Sequence, residues 1–144
     1  MRVIFSYKRS KQNVIKEKVI TDLIKMVSEH LKLPDLINVE FLNLHDSCYA
    51  ETVLEQRTHN LIRINSNLAV NELIKPIVHE LIHLHQIHTN QLSVYRDGSI
   101  NWSGSRYPVP DPTVLKYEDY KKLPWEMDVD QMLPKLLEAI FKKY

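Results

Sequence analysis

The chain has 144 residues, 44% of them apolar and 26% charged, with a formal net charge of +1. That length makes one domain with room for a core, and the near-neutral balance excludes the broad basic footprint of a nucleic-acid binder. Cys48 is the single cysteine, which excludes an internal disulfide and a cysteine-based zinc site and fits a reducing compartment.

No apolar run reaches the ~18 residues a transmembrane helix needs. The start, Met1-Arg2-Val3-Ile4-Phe5-Ser6-Tyr7, is charged too early for a signal peptide. The expected location is therefore cytoplasmic, with no membrane partner. The glycines, Gly98 and Gly104, do not make a phosphate-cradling loop. The basic cluster Lys8-Arg9-Ser10-Lys11, with Lys16 and Lys18, is interrupted by Glu17 and reads as a solvated face.

Residues 2–7 alternate apolar and polar, which predicts a short strand. Over 10–33 the spacing turns helical. Val14, Ile15, Val19, Ile20, Leu23, Ile24, Val27 and Leu31 make one stripe, Ser10 suits the N-cap and Pro34 the stop. Strands are expected over 39–44, with Val39 and Phe41 on one face, over 47–55, and over 60–65, where Leu61, Ile62 and Ile64 point to a central position. His45 and His59 fall in the connections and read as surface residues. A second helix is expected over 68–89, capped by Ser66 or Asn71, with Glu72 in its first turn and a bend at Pro76 unless the helix starts later.

Further on, Asp97-Gly98 predicts a two-residue hairpin turn between strands inside 92–102. Pro108, Pro110 and Pro112 make 105–112 a loop. A last helix begins at Pro124, where proline fits the first turn, and Pro134 should break or kink it.

The chemistry lies in His79-Glu80-Leu81-Ile82-His83. On a helix, His79 and His83 stand one turn apart on one face. Two imidazoles so placed can reach one zinc ion at about 2.0–2.1 Å. Glu80, offset by about 100°, sits beside the metal and suits proton transfer from an activated water. The apolar neighbours Leu81, Ile82 and Leu84 bury this helix, and buried polar groups need partners.

A catalytic zinc takes a third protein ligand. A histidine-based extension of the motif needs glycine at 86 and histidine at 89, but the chain has Gln86 and Thr89. His85 and His88 project from other faces. Glu126 is the preferred ligand, with Asp128 next. Asp130, one turn on, is placed to accept a hydrogen bond from the far nitrogen of a metal-bound imidazole.

Three motifs in this order, His79-Glu80-x-x-His83-x-x-Gln86, Trp102-x-Gly104-x-x-Tyr107 and Leu123-Pro124-Trp125-Glu126, resemble a group of small zinc metallopeptidases common in bacteriophage genomes and similar to minimal gluzincins. The resemblance covers residues 60–131. In those relatives the proline-tryptophan-glutamate segment continues as x-Glu-Ala, where this chain has Met127-Asp128-Val129. The resemblance implies an α+β, zincin-like fold: an N-terminal helix, a small mixed sheet, the His-Glu helix, a β-hairpin and a C-terminal helix carrying the third ligand. It also implies a phage protein working in the host cytoplasm.

The expected activity is hydrolysis of a peptide or protein substrate with Zn2+ as cofactor and Glu80 as general base. The oxyanion donor expected first is Tyr107, with Tyr117, Tyr120 and Arg106 also open. Trp102 and Trp125 read as packing residues. An exposed strand over 49–55 could hold an extended peptide by strand addition. The rival reading is a non-catalytic protein-binding module with a structural zinc.

Overall fold

Alternation of Ile37, Val39 and Phe41 with Leu36, Asn38 and Glu40 gives the segment one apolar face, and a layer of helices covers it. The computed structural model describes residues 2–6, 11–44, 49–53, 60–108 and 117–142. The expectations at Tyr7, Ser10, His45, Cys48, His59, Pro110 and Pro112 lie outside them. The fold is α+β, with four α-helices and two small sheets among the described residues. None of those helices is long and apolar enough to cross a membrane.

The first sheet contains β1 (Arg2–Ser6), β2 (Leu36–Leu42), β3 (Ala50–Thr52) and β4 (Leu61–Asn65), in the order β1-β2-β4-β3. β1, β2 and β4 run parallel, and β3 lies antiparallel at the edge. It is therefore a mixed sheet. Arg63 sits directly opposite Glu40 on one side and Glu51 on the other, within 3.6 and 3.5 Å. These cross-strand pairs favour the register that aligns β3.

Helix α1 (Lys11–Ser28) packs on the sheet through Ile20, Leu23, Ile24 and Val27. Val14 and Ile15 were expected in that stripe but are exposed. Lys16 is buried instead, and its Nζ donates to the Ser66 carbonyl at 3.1 Å. The helix also stops before Pro34: the Ser28 hydroxyl turns back to the Lys25 carbonyl, and Leu31 and Leu33 fold inward onto the core.

A short 3-10 turn, Val70–Glu72, precedes helix α2 (Ile74–His88). The Glu72 carboxylate accepts the Ala69 N–H at 3.0 Å. The helix begins later than 68, so Pro76 falls in the first turn, where its missing N–H costs nothing. Ile77, Val78, Leu81, Ile82 and Leu84 are all buried, as the apolar run requires.

The second sheet is an antiparallel meander of β5 (Leu92–Val94), β6 (Ile100–Trp102) and β7 (Ser105–Tyr107). The turn at Asp97 has three residues rather than two. Gly98 donates to the Tyr95 carbonyl and carries φ +86°, the left-handed residue such a loop needs. The two-residue primed turn lies instead at Ser103-Gly104, with φ +50° and +92°. It turns 105–107 into a third strand where a loop was expected.

Helix α3 (Tyr117–Lys121) leads into α4 (Pro124–Phe141). α4 runs through Pro134 because that residue and Asp130, whose carbonyl loses its donor, are both exposed to water. Leu92, Ile100 and Trp125 form a small core of their own, flanked by Trp102, Tyr107 and Leu123. That cluster clamps the start of α4 against the second sheet.

Candidate metal centre

The two histidines leave α2 one turn apart, with ring centroids 5.0 Å apart at 71°. Glu126 comes from the first turn of α4, where Pro124 sets the entry and the Trp125 ring is held in the small core. Its Oε2 lies 3.2 Å from His79 Nε2, and its Oε1 lies 2.9 Å from His83 Nε2. His83 and Glu126 are buried, while His79 is half-buried at the rim.

One ligand atom from each of His79, His83 and Glu126 lies within 4.8 Å of the others, so the group could hold a metal ion. The donor chemistry fits: two imidazoles and a carboxylate converge, and without an ion they satisfy one another as an imidazolium–carboxylate pair. Burial by itself would lower the His83 pKa. The hydrogen bond to Glu126 and the charges of Glu80 and Glu126 outweigh it and raise it to about 9. Burial pushes Glu126 the other way from its partners. Hydrogen bonds to His79 and His83 prevail and hold its carboxyl well below the usual carboxylate range.

Glu80 is buried on the neighbouring face of α2. Burial raises its pKa above the ordinary value, although the charges of His83 and His79 and the Thr52 hydroxyl oppose the shift. The Thr52 hydroxyl, on edge strand β3, donates to the Glu80 carboxylate and lies 3.2 Å from the Glu80 main-chain carbonyl.

The Tyr120 hydroxyl donates to Glu126 Oε1 at 2.8 Å. Tyr107 is not brought to this group by any described contact. Its ring meets Trp125 edge-on at 5.5 Å. Arg106 is engaged elsewhere, donating to Asp97 at 2.6 Å and to Ser99 at 2.9 Å. The Ser99 hydroxyl and N–H also donate to Asp97, and with Arg106 they hold its carboxyl at about 2, Ser99 contributing most. Tyr117 begins α3, outside the residues whose side chains are described.

Asp130 is exposed, and it is Gln86 that stands at the far nitrogen of His83, with Oε1 2.8 Å from Nδ1. Asp128 accepts from Gln86 Nε2 at 2.9 Å. His85 contacts the Lys32 carbonyl and His88 is exposed, so both stay outside the group, as expected. The parts that sequence reasoning missed are Gln86, Thr52 and Tyr120 as partners of His83, Glu80 and Glu126. Gln86 had a signal, since it stands three residues after His83 on the same face. Comparison with protein-family models, with curated proteins and with solved structures gave no match.

Proposed function

We propose that the chain is a zinc-dependent peptidase with a zincin-like arrangement of its two ligand-bearing helices. The observation that carries this reading is Glu80. It is a buried carboxylate beside the His79–His83–Glu126 group, held by Thr52 and not spent on holding the ion. A site that only bound metal has no use for it, which weighs against the binding-module reading.

Two imidazoles and a carboxylate suit zinc, and three donor residues match the number in catalytic zinc sites. When bound, zinc supplies a Lewis acid and acidifies water. Glu80 accepts the proton of the attacking water and returns it to the leaving amine nitrogen. The Tyr120 phenol already lies at the ligand carboxylate and is better placed than Tyr107 to donate to a developing oxyanion. β3 ends the described sheet beside Glu80, where strand addition would bring an extended substrate.

The test is cleavage of an unfolded protein substrate by zinc-loaded material and by its Glu80→Gln variant. The variant should keep zinc and lose cleavage. Undiminished cleavage by Glu80→Gln would remove the base from this mechanism.

A further inference from the structure

Gln86 is a polar side chain with no exposed surface, in the middle of an apolar helix. Hydrolysis gives it no task. Its side-chain hydrogen bonds nevertheless go to His83 and to the first turn of α4, which carries Glu126. Its Oε1 lies 2.8 Å from His83 Nδ1. Its Nε2 donates to the Trp125 carbonyl at 3.0 Å and to Asp128 Oδ2 at 2.9 Å.

We infer that Gln86 is a positioning residue that fixes His83 as a ligand through Nε2 and ties that ring to the turn of α4 that delivers Glu126. The chemistry of the partners decides the orientation. A main-chain carbonyl and a carboxylate only accept, so the amide nitrogen must face Trp125 and Asp128. The amide oxygen must then face His83, and Nδ1 must carry a hydrogen. When His83 is neutral, its lone pair is left on Nε2, the nitrogen 2.9 Å from Glu126. The Trp125 carbonyl belongs to the peptide unit that continues into Glu126. One amide therefore aligns a ligand from each helix, and Asp128 holds the amide from its far side. The conserved geometry of metal-bound imidazoles, with the other ring nitrogen donating, is what this arrangement supplies in advance.

This inference rests on the metal group of the proposed function, not on hydrolysis, and its test reads metal and proton positions. The first arm is zinc binding by titration calorimetry, with folding followed by circular dichroism. Gln86→Met keeps length and burial but removes all three hydrogen bonds. Its zinc affinity should fall about 10–100-fold, with the stoichiometry kept. The second arm is ¹H–¹⁵N NMR of the histidine rings in the unaltered protein. His83 should show a slowly exchanging Nδ1–H with and without zinc, and zinc should perturb Nε2. Equal affinity in a folded Gln86→Met variant overturns the inference. So does an Nε2–H tautomer or zinc at Nδ1 in the unaltered protein, a readout that stands even if the variant fails to fold. Failure of the unaltered protein to bind zinc would instead overturn the metal reading beneath it.

Discussion

The Thr52 hydroxyl donates to the Glu80 carboxylate, which joins the edge strand to the helix carrying both histidines. A hydrogen bond to a charged group contributes about 1.5–3 kcal/mol. It also fixes which way the carboxylate faces. Thr52→Val should therefore lower kcat at least about tenfold, with zinc affinity unchanged. Thr52→Ser should recover most of the loss. Steady-state kinetics with both variants checks this, and a fully active Thr52→Val would remove the hydroxyl from the site's machinery.

Tyr120 and Tyr107 offer the same phenol from different surroundings. One hydroxyl donates to Glu126, while the other's ring is packed against Trp125. Loss of an oxyanion donor costs about 10²–10³ in kcat. Tyr120→Phe should show a loss of that order, and Tyr107→Phe far less, because its ring contact survives. Parallel kcat measurements rank the two. The opposite ranking would return the donor role to Tyr107.

The candidate metal group was legible because its signal is local. His79 and His83 are neighbours by helical spacing alone, and Pro124 announces the turn that carries Glu126. The strand at Val39 and Phe41 and the helix with the stripe of Ile20, Leu23, Ile24 and Val27 were legible in the same local way. What escaped was set by tertiary contact. Thr52 carries no mark that it will meet Glu80, and Asp130, expected at the far nitrogen of a metal-bound imidazole, is exposed, while Gln86 fills that position at His83. Strand β7 was hidden for another reason. Asp97-Gly98 gave the stronger turn signal, although Ser103-Gly104 forms the two-residue turn.

The pKa shifts predict a defined pH response in chelated protein. His83 is raised from 6.5 to about 9 in the fold. Its contribution is fully present below pH 6.5 and is lost as pH rises through about 9. Glu80 acts in the same direction, because burial raises its value, so its share is present below 4.5 and goes as pH rises. Glu126 acts oppositely: its lowered value gives stability above pH 4.5 that disappears in acid. The Tm of chelated protein should therefore fall between pH 6.5 and 9, and Glu126→Gln should flatten that fall. Zinc must displace the His83 proton, so its affinity should rise about tenfold per pH unit towards pH 9. Thermal melts and zinc titrations across this range check both slopes. A flat Tm would mean that His83 and Glu126 do not form the ion pair.

Metal removal tests which acid completes the group. The donors come from α2 and α4, so a bound ion would join two helices separated in sequence, among the described residues, by the second sheet and α3. Free zinc at 100 times its Kd adds about 2.7 kcal/mol, which at this chain length raises Tm by roughly 8 °C. EDTA should reverse the shift. Glu126→Ala should abolish it, because that variant removes the carboxylate facing both Nε2 atoms. Asp130→Ala should keep it, because Asp130 is exposed and Gln86 occupies the His83 Nδ1 position. Asp128→Ala should weaken zinc binding only in part, since Gln86 retains the Trp125 carbonyl. Thermal melts of the three variants with and without zinc separate these cases. A zinc shift that survives Glu126→Ala and disappears in Asp130→Ala would move the third ligand one turn along α4.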